Sequence, residues 1–197
     1  EIEKSPDTTL TFLQLLGSMT GGDLAVTSFS ACYEQWVNNT LDSNEVDWKS
    51  FDEAKNFLSL VAYTAYLEHG GNCISDSEFD KCLKVFCSVF LSSEQHLRSH
   101  SVGVFLKKKN GSLVFAKEHF WYYFCARYAS KNLAQDNPEQ YAEFVLNCTK
   151  NIFLKKYANI AIFMAYFSND NAVLTALLQI LDGLFSKADD WILSDRS

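Results

Sequence analysis

Proline and glycine are scarce in this chain: two prolines, Pro6 and Pro138, and eight glycines stand among 197 residues. An all-β fold reverses direction often and needs turn residues at each reversal, so this shortage argues against it and leaves long stretches free for helix. No apolar run approaches the roughly 18 to 20 residues of a membrane span. No secretory-signal pattern opens the chain. Basic surplus is missing too: 17 Lys and Arg face 24 Asp and Glu, a net charge of -7. Broad nucleic-acid or anionic-membrane binding needs clustered cations, and is disfavoured. Cys-x-x-Cys pairs are absent as well. The six cysteines (Cys32, Cys73, Cys82, Cys87, Cys125, Cys148) have neither zinc nor disulfide spacing. Their apolar surroundings predict reduced, buried thiols in a cytoplasmic protein. The first residue is Glu1 rather than Met, and a longer parent polypeptide is expected.

What is abundant is apolar and aromatic: 48% hydrophobic residues, with 16 Phe, 9 Tyr and 4 Trp, enough to build a packed core. Thr9 to Leu16 and Ala31 to Val37 have helical character and are separated by the flexible Gly17 to Gly22 stretch, with a polar loop expected over Leu41 to Asp47. From Trp48 the series Phe51, Ala54, Phe57, Leu58, Val61, Ala62 and Ala65 recurs every three or four residues, which predicts an amphipathic helix ending at His69-Gly70-Gly71. Ser75-Asp76-Ser77-Glu78 has the form of a capping box opening a second helix, and Ser92-Ser93-Glu94 allows a short third one. Val102 to Leu106 and Ser112 to Phe115 then flank Lys107-Lys108-Lys109-Asn110-Gly111, a hairpin signal. Three helices and a hairpin spell a winged helix-turn-helix. Beyond it the pattern predicts a long aromatic helix over Glu118 to Leu133, one opened by Asn137-Pro138-Glu139, and two more over Tyr157 to Phe167 and Asn171 to Phe185. The expected fold is therefore mainly α: linker helices over residues 1–47, a winged-helix subdomain over 48–117, and an antiparallel helical stack over 118–197.

Few residues carry chemistry. Gly17 and Gly22 are spaced like the glycines of a phosphate loop, but Asp23 stands where that loop needs Lys and would repel phosphate. His96 and His100 share a helix face as metal ligands do, without a third ligand nearby in the sequence. No catalytic, cofactor or metal residue is assigned. Lys107, Lys108 and Lys109, with Arg98 on the third helix, form the single local basic cluster. In a DNA-binding winged helix these positions would touch phosphates; otherwise the lysines are a solvated tip that deters edge pairing. The aromatics Phe120, Trp121, Tyr122, Tyr123, Phe124 and Tyr128 point in nearly every direction round a helix. Such a helix must be buried on several sides, and it is expected to join the winged helix to the stack.

The run Phe115-Ala116-Lys117-Glu118-His119-Phe120-Trp121-Tyr122-Tyr123-Phe124-Cys125-Ala126-Arg127-Tyr128 resembles a segment of the STAND signalling NTPases, NACHT-type relatives included. There a wing strand ends in a Phe-x-His step before an aromatic helix. Lys117 stands where the family usually has His, so that residue's nucleotide-facing role does not carry over. Phe29 to Val37 and Tyr157 to Phe163 are similar to the family's linker helix and helical region. The resemblance implies a non-catalytic regulatory and protein-interaction region, linked to bacterial defence or stress signalling. An ATP- or ADP-holding core would lie upstream in the same polypeptide, and protein partners or self-association would be its business, with nucleic acid and membrane unlikely partners on charge. The rival expectation is a DNA-binding winged-helix transcriptional regulator.

Overall fold

A computed structural model describes residues 29–44, 50–167 and 175. The expected helices at Thr9–Leu16 and Asn171–Phe185, and the Gly17–Gly22 link, lie outside these bounds.

Helix α1 (Phe29–Asp42) runs further than the expected Ala31–Val37 piece, into the expected loop. Tyr33, Val37 and Leu41 recur every fourth residue and are all buried. The polar residues between them mask this spacing. Helix α2 (Phe51–His69) buries Ala54, Phe57, Leu58, Val61, Ala62 and Ala65, the stripe set by its periodicity. It ends at Gly70, whose φ of 59° is the left-handed cap conformation; its N–H donates to the Tyr66 carbonyl at 2.9 Å.

Strand β1 (Cys73–Ser75) leads into α3 (Asp76–Phe90) through a complete capping box. The Glu78 amide donates to Ser75 Oγ at 3.2 Å, and the Ser75 amide donates to Glu78 Oε2 at 2.9 Å. Helix α3 ends on Leu91, a non-glycine residue at φ 54°. Helix α4 (Glu94–Ser101) is capped by Ser93.

The hairpin differs in register from the one expected. Strands β2 (Leu106–Lys109) and β3 (Ser112–Phe115) pair antiparallel, so the three lysines lie within or at the end of a strand, not in a loop. Only Asn110 and Gly111 form the turn, at φ 51° and 76°, the two positive angles that a tight primed turn demands. Val102 to Phe105 is not strand. Gly103, at φ 91°, turns the chain there and donates its N–H to the Leu106 carbonyl at 2.7 Å. Sheet order is β1-β3-β2, with β1 antiparallel to β3. Helix, strand, two helices and two strands in this order make the expected winged helix-turn-helix, with a third strand that three residues of sequence were too short to signal.

Helix α5 (Glu118–Tyr128) continues not as α-helix, as expected through Leu133, but as a π-helical turn over Ala129–Leu133 and a last α-turn, Ala134–Asp136. Every residue from Phe120 to Arg127 is buried. The Phe105 ring meets Phe120 at 5.0 Å and Phe124 at 5.5 Å, both edge to face. Phe120 also lies 4.9 Å from Trp36 of α1, and Trp121 Nε1–H donates to the buried Ala62 carbonyl of α2 at 3.1 Å.

The chain groups into two units, one through Cys125 and one from Ala126. The aromatic turns of α5 up to Cys125 thus pack with the winged helix, although the expected subdomain limit stood at residue 117. In the second unit, α6 (Pro138–Lys150) starts where the Asn137 side chain accepts from the Gln140 amide at 3.1 Å, with Pro138 in the first turn. It buries Phe144, Val145 and Cys148. After the short Asn151–Leu154 link, α7 (Lys155–Phe167) returns antiparallel and buries Ile160, Ala161, Phe163 and Met164.

Phe124 is 0% exposed. Phe124→Ala is expected to remove about 3 to 5 kcal/mol, a large part of a total stability of about 5 to 15 kcal/mol. Thermal unfolding followed by circular dichroism checks this. A midpoint within a degree or two of the parent would contradict the packing.

Candidate functional site

The candidate contact residues Arg98, Lys107, Lys108 and Lys109 sit on α4 and β2, the third helix and the wing. The fold does not gather them into one free basic surface. Arg98 is the only Lys or Arg of α4. Its guanidinium is paired with Asp80 of α3 at 2.5 Å and lies over the Phe79 ring, 5.3 Å from its centre. A charge-assisted bond and a cation–π contact both hold it on its own protein.

Strand alternation divides the lysines. Lys108 is in register with buried Leu113, and its ammonium reaches Asp76 at the start of α3 at 3.5 Å. Lys107 and Lys109 share the other face, opposite Val114 and Ser112, and among the described residues neither pairs with a carboxylate. Because β3 lies between β1 and β2, β2 is an edge strand. Three exposed lysines along it discourage a further strand from pairing there. Asp76 and Asp80, which neutralise half of the candidate set, carry no sequence signal for that role: Asp80 precedes Arg98 by 18 residues, and only the packing of α3 against α4 joins them.

His96 and His100 meet as the spacing implies, edge to face with ring centres 4.1 Å apart and a 3.3 Å contact from His100 Nε2 to His96 Nδ1. Burial and the neighbouring ring both lower the His100 pKa, which favours the neutral form of that side chain. Among the described residues no three His, Cys, Asp or Glu side chains converge as a metal site would require.

A second polar cluster joins the end of α2 to the start of α3. His69 Nε2 and Glu78 Oε2 are 2.9 Å apart, while the Ser75 hydroxyl also donates to Glu78 Oε2 at 2.7 Å. The His69 contact, then the Ser75 hydroxyl and amide, hold the Glu78 carboxyl down at about 2, from an ordinary 4.5. A depressed carboxyl pKa contributes stability that is complete above pH 4.5 and lost as the pH falls towards 2. This cluster is a structural clasp between helices.

None of the six cysteines forms a disulfide. Burial raises the pKa of Cys32, Cys82 and Cys87, and pushes Cys148 up to about 12. These four are protonated at neutral pH and are poor nucleophiles. Among the described residues no helix is long and apolar enough to cross a membrane. Against known proteins, no family model, curated sequence or solved structure matches the chain.

Two unpaired wing lysines support at most about two phosphate contacts, a salt slope near -1.8 and roughly a sevenfold loss of affinity from 50 to 150 mM salt, starting from weak binding. Fluorescence anisotropy with a labelled duplex is expected to give no sequence preference and no saturable binding at about 150 mM salt. Sequence-selective binding there, removed by Lys107→Glu with Lys109→Glu, would overturn this and favour the transcriptional regulator.

Proposed function

We propose that the chain is the non-catalytic regulatory and protein-interaction region of a cytoplasmic STAND-like, NACHT-like signalling NTPase. In this reading its winged helix restrains or releases an upstream core that holds ATP or ADP, and the helices after it relay a sensed signal, in bacterial defence or stress signalling.

One observation carries the reading. The Phe115-to-Tyr128 run that resembles the family is the place where wing strand β3 passes directly into α5, and the aromatic side of that helix folds back on the winged helix through Phe105 and Ala62. A wing committed in this way to a following buried helix serves as a joint within a larger polypeptide. The rival DNA-binding reading draws on Lys107 and Lys109, but the Arg98–Asp80 and Lys108–Asp76 pairs work against it.

Nucleotide binding tests the proposal. Calorimetric titration of this chain with ATP and magnesium is expected to show no binding, whereas the polypeptide extended upstream of Glu1 is expected to retain ADP or bind ATP. Micromolar affinity in the chain alone, or upstream residues that form no nucleotide-binding core, would contradict it.

A further inference from the structure

Helix α3 buries Phe79, Cys82, Leu83 and Phe86 on its core side, yet its outward side is not the polar surface that burial of one face normally leaves. Val85 is 59% exposed, Val89 67%, Phe90 58% and Leu91 92%. Val85 and Val89 are one turn apart, with exposed Lys81, Lys84 and Ser88 beside them. Leu91 adds a second oddity: it caps the helix at φ 54°, where Gly or Asn is the unstrained choice, and its side chain gains almost no burial there. A leucine in that conformation and pointed at water leaves an apolar surface open to a partner.

The charge pattern says what covers it. In a chain of net charge -7, the stretch from Lys81 to Ser93 contains no Asp or Glu and two lysines. Among the described residues neither lysine pairs with a carboxylate, while the nearby Asp76 and Asp80 are engaged with Lys108 and Arg98. The carboxylates of Glu53 and Glu94 act on Cys87, which lies about 200° round the helix from both Val85 and Val89.

We propose that this face of α3 docks an acidic amphipathic helix of a partner protein. Its aliphatic ridge packs along Val85 and Val89, and its Asp or Glu side chains meet Lys81 and Lys84. A helix fits better than a strand because the exposed residues form an i, i+4 ridge, the element that another helix's groove accepts. The proposal rests on reading the chain as an interaction region and is independent of the upstream nucleotide core, so the ATP titration can fail without touching it.

The test is selection from a displayed library of randomised helical peptides with the full chain as bait, counter-selected on the chain carrying Val85→Ser and Val89→Ser. Both positions are exposed, and an unchanged melting temperature verifies that the counter-bait is folded. The expected result is a consensus of aliphatic residues at helical spacing flanked by Asp or Glu. A synthetic consensus peptide is expected to bind at least tenfold more weakly to the Lys81→Glu, Lys84→Glu chain. No consensus, a consensus without carboxylates, or equal binding to the serine variant would overturn the proposal. So would sedimentation showing self-association of the parent that the serine variant loses, because the occupant would then be a second copy of the chain.

Discussion

The first unit depends on the seating of α5 against Phe105. Phe105 lies just after α4 and before β2; its ring receives Phe120 and Phe124, and its carbonyl accepts the Ala116 N–H at 2.8 Å. One residue thus ties the end of the recognition-type helix, the base of the wing and the aromatic helix together. Trp121 extends the same seat to α2 through the Ala62 carbonyl, and Phe120 extends it to α1 through Trp36. With Phe105, Phe120, Trp121 and Phe124 all nearly inaccessible to water, transfer and close packing of four aromatic side chains act at one point. The β-sheet of the wing is small, with strands of three or four residues, and would be marginal without this backing.

Elements that rest on local physics were legible in the sequence. The periodic stripe of α2, the Ser75–Glu78 box, the Asn110–Gly111 turn and the Asn137–Pro138 start each follow from residues within a few positions of one another. Elements that rest on distant partners were not. Strand β1 exists because Cys73 to Ser75 pair with Val114 to Ser112, and three residues have no periodicity to detect. The lysines enter β2 because Gly103 turns the chain early and leaves Leu106 to begin the strand. The π turn after Tyr128 has no residue signature in Ala129 to Leu133, a run that otherwise suits an α-helix.

The candidate site shows the same division. Sequence placed Arg98 on its helix and the lysines at the wing, though in its tip rather than in strand β2, and their chemical state was set by Asp76 and Asp80, which the fold brings from α3. A cluster that looks cationic in one dimension becomes two ion pairs and two outward lysines in three. The free positive charge of this unit also lies along α3, at Lys81 and Lys84, where it borders exposed aliphatic side chains. Mixed apolar and cationic character suits a protein surface better than a phosphate backbone, which offers nothing for Val85, Val89 or Leu91 to cover.

Helix α5 is locked into the winged helix through all of this packing, and the Trp121 indole reports on it directly. Its Nε1–H is buried and bonded to the Ala62 carbonyl. In a two-dimensional nitrogen–proton spectrum recorded after transfer to heavy water, the account predicts that this indole proton exchanges only through global unfolding, with the protection of the slowest backbone amides of α2. Exchange within minutes, while those α2 amides stay protected, would mean that α5 opens independently, and would contradict the account.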